Sequence, residues 1–179
     1  MTASAVRQND EELALLAQAR AGDRGAMKHL YGQHAKRLYC LALRLVGNAT
    51  EAEDVVQETF LKAWRFGSAF RGDARLGSWL CRIALNESRD ALRKRRPESA
   101  PAAHEAAPLA PHRDVLDARR LEAAMKTLPE GYREAIVLHD VLGMEHADIA
   151  EILGVEIGTS KSQLHKARAR MRELLGERA

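Results

Sequence analysis

The sequence predicts an all-α protein made of two small helical domains joined by a flexible Pro- and Ala-rich linker. Three observations lead there. Apolar residues recur every three or four positions from Leu13 to Ala91 and again from Val115 to Leu174, the period of helices that bury one face. Four of the five prolines fall within residues 97–114, a stretch rich in alanine and without an aromatic residue, which cannot form a core and reads as a tether. Charge is segregated: Leu76 to Arg96 and Lys161 to Ala179 each carry six bases and two acids, a combined +8 in a chain of 179 residues whose formal net charge is +3. Two basic patches in an otherwise acidic chain point to a polyanionic partner more strongly than a high isoelectric point does. The predicted organisation is a first domain over residues 1–96, a linker over 97–114 and a second domain over 115–179.

The first helix is expected over residues 10–21, with Leu13, Leu16 and Ala17 at helical spacing and Gly22 as the cap that ends it. A second starts near Asp23 and carries Leu30, Tyr31, His34, Leu38, Ala42 and Leu45 on one face before Gly47-Asn48. His29 and His34 are five apart and share no face, so no metal pair is expected. Thr50-Glu51-Ala52-Glu53 has the form of a capping box and opens the third helix. Its inward face is Ala52, Val55, Val56, Thr59, Phe60, Ala63 and Trp64, while Asp54, Gln57, Glu58, Leu61 and Arg65 project the other way. An exposed Leu61 among acids and an amide suits docking of a basic helical partner; an ordinary solvated face is the alternative, and both readings stand on these residues.

Phe66 to Asp73 breaks the helical pattern with Gly67 and Gly72 and holds two aromatics and Arg71. Beside a basic helix, such side chains suit unstacked bases, a contact of roughly 1–3 kcal/mol per base; the alternative is that the aromatics plug the core, and one of the two is expected to do so. The helix that follows, over residues 76–96, places Arg82, Asn86, Arg89, Arg93 and Arg96 at intervals of four, three, four and three, one narrow polar stripe on an otherwise apolar surface. Guanidiniums pair phosphate bidentately, and an amide among them can read a base edge.

In the second domain, Val115, Leu116, Ala118, Leu121, Met125 and Leu128 recur at helical intervals up to Pro129, and a further helix is expected over 130–142, burying Tyr132, Ile136 and Val137. Residues 146–153, the Gly154-Val155 turn and a last helix over about 160–175 form a helix-turn-helix pattern, in which Ala150 permits close approach and Val155 plugs the angle. Leu164, Ala167, Met171 and Leu174 face inward, and Lys161, His165, Arg168 and Arg172 form an outward stripe. The linker reaches about 55 Å when extended at about 3.1 Å per residue, more than one turn of duplex DNA.

Cys40 and Cys81 are single cysteines without paired spacing, which excludes a disulfide framework or zinc module and fits a reducing compartment. No apolar run approaches the roughly 20 residues of a membrane span, and the polar N-terminus lacks a signal-peptide core, so a cytoplasmic protein without membrane insertion is expected. With no phosphate-cradling loop, nucleophile triad or metal cluster in the sequence, no enzymatic activity, metal or cofactor is expected.

Taken together, these segments resemble the bacterial RNA polymerase sigma factors of the sigma-70 class, in particular the short extracytoplasmic-function (ECF) group that keeps the second and fourth sigma domains. The resemblance covers about residues 23–96 and 116–175. It rests on Ala52-Glu53-Asp54-Val55-Val56-Gln57-Glu58-Thr59-Phe60, on Phe70-Arg71-Gly72-Asp73 followed by Trp79-Leu80-Cys81-Arg82-Ile83-Ala84-Leu85-Asn86, and on Gly158-Thr159-Ser160-Lys161-Ser162-Gln163-Leu164-His165-Lys166-Ala167-Arg168. It implies core RNA polymerase, promoter DNA and an anti-sigma factor as partners. Asp54, Gln57, Glu58 and Leu61 would then dock polymerase. Phe70, Arg71, Asp73, Trp79, Arg82, Asn86, Arg89 and Arg93 would melt and read the minus-ten element, and Thr159, Lys161, Ser162, Gln163, His165, Lys166 and Arg168 would read the minus-thirty-five element. Three positions depart from the family pattern: Ser160 stands in place of a Val-like residue, Gln163 in place of Arg, and Glu145 in place of a Ser or Thr cap. A free-standing helix-turn-helix regulator is the alternative, and it would need neither the Leu61 patch nor the aromatic loop.

Overall fold

The computed structural model describes residues 3–70, 72, 74–95 and 112–176. Among them are eight α-helices and no strand. The chain divides into two compact units, Met1–Lys94 and Arg95–Ala179.

In the first unit, α1 (Ala3–Arg20), α2 (Arg24–Val46), α3 (Ala49–Phe66) and α4 (Leu76–Lys94) pack around a core in which Leu38, Leu41, Leu76, Leu80 and Leu85 are fully buried. Each such leucine contributes about 1.5–3 kcal/mol of transfer free energy. Asp23 caps α2, accepting from the N–H groups of Gly25 at 2.7 Å and Ala26 at 3.1 Å, and Gly47 ends it in the left-handed conformation at φ 68°. The capping box expected at Thr50 does not form. Asn48 is the cap of α3, its Oδ1 accepting from the Glu51 N–H at 3.0 Å, and Thr50 lies exposed inside the helix. Asx and Thr side chains compete for the same orphan N–H groups, and the chain leaves extended geometry at Asn48, two residues earlier than the box requires. Buried hydroxyls are satisfied within their own helices: Thr59 Oγ1 donates to the Val55 carbonyl at 2.7 Å and Ser88 Oγ to Ala84 at 2.8 Å. Burial pushes the Cys81 thiol up to about 11, as expected of a small core residue rather than a reactive one.

α1 is longer than expected, and its inward stripe is Asn9, Glu12, Leu16 and Ala19, whereas Ala17 is exposed. Two polar residues thus sit on a face that apolar counting alone assigns to others.

The second unit holds α5 (His112–Thr127), α6 (Glu130–Ile136), a π-helical segment (Val137–Val141), α7 (His146–Leu153) and α8 (Ile157–Leu175). α5 starts inside the stretch read as tether. Its Leu121, one of the apolar residues at helical spacing, is 43% exposed, and Ala124 and Leu128 pack against Ala135, Ile136, Leu164, Ala167 and Met171. The helix expected over 130–142 changes register at Val137, where the Leu142 N–H reaches the Val137 carbonyl five residues back at 3.0 Å. α7 matches its expected span, and Gly154 turns the chain at φ 68° with the Val155 N–H on the Ala150 carbonyl at 2.9 Å. α8 begins at Ile157, so Gly158 and Thr159 lie inside it rather than ahead of it.

Candidate nucleic-acid interface and docking groove

Between α2 and α3 lies an open groove of about 680 Å³, walled by Tyr31, Tyr39, Val56, Phe60, Leu61 and Trp64 and edged by Lys36, Glu53 and Gln57. The aromatics form a ladder, with Tyr31 and Phe60 centroids 4.9 Å apart and Phe60 and Trp64 5.9 Å apart. Leu61 is 43% exposed, and Asp54, Gln57 and Glu58 are exposed on the same helix. Of the four residues expected to dock a partner, Gln57 and Leu61 line this groove, and Asp54 and Glu58 stand on the open surface of α3 outside its lining. Tyr39 was missed in sequence, and Tyr31, assigned inward, is 49% exposed. Their spacing of eight, with Ala35 midway on the same face, is the signal that could have shown an aromatic wall.

On α4, Arg82, Asn86 and Arg93 are exposed and Arg89 is half-buried; Arg93 pairs with Asp90, and Lys62 of α3 pairs with Glu87. Arg82 and Arg89 also have partners within the protein. The stripe therefore enters any complex partly neutralised. Phe70 is the aromatic that plugs the core: it is 9% exposed and stacks on Trp79 with centroids 5.0 Å apart and planes 28° apart, leaving Phe66 as the exposed one at 54%. Arg71, Asp73 and Arg96 lie outside the described residues.

In the second unit, Thr159, Lys161, Ser162, His165 and Lys166 are exposed along α8. Gln163 is not: it is half-buried, its Nε2 lies 3.0 Å from where a Cβ on Gly131 would stand, and its Oε1 is buried without a hydrogen-bond partner. Gln163 thus lies against the α6 backbone at Gly131, which leaves room for its amide, whereas its neighbours on α8 stand open. Arg168 is exposed but engaged: its Nε donates to Asp140 Oδ2 at 3.0 Å and its Nη2 to Oδ1, while His139 Nδ1 is 2.7 Å from the same carboxylate. The Arg168 hydrogen bond holds the Asp140 carboxyl below the usual carboxylate range. Ser160 is fully buried, with Oγ 3.0 Å from His146 Nδ1, and the His146 ring packs on His139 at 4.8 Å. Desolvation, then the positive neighbours His139 and Lys161, lower the His146 pKa. Glu145 and Glu156, which precede α7 and α8, make no side-chain cap hydrogen bond, and the His146–Ser160 contact joins the two helices.

Sigma-70 region 2 matches residues 30–98, and sigma-70 region 4 matches residues 118–171. The ECF RNA polymerase sigma factor SigM of Mycobacterium tuberculosis is 37% identical over 177 residues, covering 95% of this chain and 87% of its own length. The chain belongs to the ECF RNA polymerase sigma factor family. Its fold agrees: the structure of CnrH in complex with the cytosolic domain of CnrY superposes with a TM-score of 0.73 at 30% identity over 94% of this chain and 99% of that one. The sigma factor RpoE of Bartonella quintana, in complex with the anti-sigma factor NepR, gives a TM-score of 0.70 at 31% identity, covering 85% and 98%. The protein is therefore a sigma factor that directs RNA polymerase to promoters, and both sigma regions are present in it. Among the described residues no helix is long and apolar enough to cross a membrane.

Proposed function

We propose that the α2–α3 groove and its Gln57–Leu61 rim form the surface that docks core RNA polymerase, with Asp54 and Glu58 steering a basic partner onto it. The observation that carries this is an exposed leucine on the lip of an aromatic groove beside exposed carboxylates. An apolar centre with a polar rim supplies affinity through burial and orientation through charge. Docking presents the α4 stripe of Arg82, Asn86, Arg89 and Arg93 to the minus-ten element. There arginines release counterions from phosphate, and Asn86, exposed and uncharged, hydrogen-bonds an unstacked base. Phe70 and Trp79 act from below as a stacked platform, and Arg71 and Asp73 join the minus-ten contacts. Thr159, Lys161, Ser162, His165 and Lys166 meet the minus-thirty-five element along one side of α8, and Arg168 joins them where DNA phosphate competes with Asp140. Strand separation follows from binding energy, since capturing an extruded base offsets the cost of unstacking it. No bond is made or broken by the protein in this reading.

The RpoE–NepR complex supports an anti-sigma factor as a further partner, and a cytoplasmic site of action follows from that of its polymerase. The deciding experiment combines Glu58→Lys with Leu61→Asp. The double variant keeps its helix content by circular dichroism and fails to co-purify with core polymerase. Recovery at wild-type yield would refute the docking assignment. A free-standing duplex reader would bind promoter DNA equally with and without core, and the match to both sigma regions disfavours it.

A further inference from the structure

The helix that precedes sigma region 2 touches the loop between α3 and α4 at three points. Region 2 as matched begins at residue 30, so α1, which ends at Arg20, lies outside it. Asn9, 7% exposed, spans the loop with one amide: its Nδ2 donates to the Gly72 carbonyl at 3.2 Å, and its Oδ1 accepts from the Leu76 N–H at 3.2 Å. The Leu76 N–H belongs to the first residue of α4 and has no acceptor within that helix, so α1 caps α4 from 67 residues away. One turn on, Leu13 lies under Gly72, where φ is 79° and a Cβ would stand 2.8 Å from Leu13 Cδ1. At the loop's other end, a Cβ on Gly67 would stand 2.8 Å from Arg20 Cδ and 3.4 Å from Leu16. A solvated helix face has no need of this arrangement. A single amide offers a donor to a carbonyl and, from a separate atom, an acceptor to an N–H at once.

We infer that α1 is a brace for the minus-ten loop and that Asn9 is a positioning residue for base capture. The inference rests on the reading of residues 70–86 as the minus-ten reader. Phe70 is held from the α4 side by Trp79, and Gly72 is held from the α1 side by Asn9 and Leu13, so α1 and α4 each fix one described position of the loop. Holding Gly72 and the start of α4 in place lowers what base capture must order, which raises affinity for the single strand with no contact from α1 to DNA. The captured base gains selectivity for the same reason, because a loop that wanders accepts several bases.

The test uses holoenzyme reconstituted from the full chain and core polymerase. The probe is a single-stranded minus-ten oligonucleotide selected by the wild-type holoenzyme from a randomised pool. Asn9→Ala binds it about tenfold more weakly, the size of one hydrogen bond lost, at unchanged affinity for core, and discriminates less among bases at the captured position. A merely structural role would move neither base discrimination nor strand affinity at a temperature well below unfolding. Asn9→Asp still accepts from Leu76 and keeps that amide protected from hydrogen exchange, yet sets an oxygen against the Gly72 carbonyl, so it too loses strand affinity. If Asn9→Ala fails to fold, Asn9→Asp decides, and wild-type strand binding by it overturns the brace. Asn86→Ala separates the two levels. Loss in Asn86→Ala with wild-type binding by the Asn9 variants overturns the brace and leaves the minus-ten reading standing, whereas wild-type binding by all of them overturns both.

Discussion

The cap of α3 sets where that helix begins, and two substitutions test its assignment. The Asn48 Oδ1 accepts from the Glu51 N–H at 3.0 Å, and removing it with Asn48→Ala leaves an N-terminal donor without its side-chain acceptor. Loss of such a cap costs about 1 kcal/mol, within a range of about 0.5–2. For a unit of this size, Met1–Lys94, each kcal/mol moves the midpoint by roughly 4–8 °C, so Asn48→Ala lowers the melting temperature of the first unit by about that much. Thr50→Ala gives the opposite sign: Thr50 is exposed and already inside the helix, and alanine is the better helix former by up to about 0.7 kcal/mol, so stability holds or rises slightly. Both tryptophans, Trp64 and Trp79, lie in the first unit, and their fluorescence follows its unfolding without interference from the second. Had Thr50 been the cap, the effects would exchange. A Thr50→Ala midpoint that falls as far as that of Asn48→Ala refutes the assignment.

Gln163→Leu replaces a buried, unpartnered Oε1 with an apolar group. It stabilises the second unit by up to about 1 kcal/mol in denaturant unfolding followed by circular dichroism, and leaves the holoenzyme's ranking of a panel of minus-thirty-five duplexes unchanged. A changed ranking would return Gln163 to the DNA face. The Asp140 carboxyl is held below its ordinary range by Arg168, so its contribution is fully present above the unfolded pKa of about 3.9 and is lost as pH falls through the lower folded value. The second unit accordingly loses stability below about pH 4, and Asp140→Asn flattens that limb of the pH profile; an unaltered limb would show the ion pair to contribute nothing. The pair is partly solvated and screened, so its effect shrinks in high salt.

The residues of this chain differ in how far local sequence betrays their roles. The inward face of α3 follows from its spacing, and six of its seven expected members, Thr59 among them, are buried, with Trp64 half-buried at the groove. Hydrophobic period is a property of a single helix and needs no partner to be read. Asp23 and Gly47 as caps of α2 are equally local. Asn48 was misread because two neighbouring side chains could serve the same donors, and backbone geometry chose between them. Phe66 and Phe70 were indistinguishable in sequence, and the stacking of Phe70 on Trp79 separated them. Gln163 and Arg168 both sit on the polar side of α8 by period. One turns in toward Gly131 and the other is engaged by Asp140, because α6 and the π-helical segment lie against that helix.

By itself the sequence determined the all-α class, the two domains, the charge segregation and the family, since each is carried by residue type and spacing along one stretch of chain. The tertiary structure alone decided that α2 supplies half of the aromatic groove and that Asn9 holds a loop and a helix start 63 and 67 residues away. It alone decided which polar side chains on α4 and α8 are already bonded within the protein. Such pairings depend on which elements meet across the core, and an isolated helix, however clearly periodic, carries no record of its neighbours.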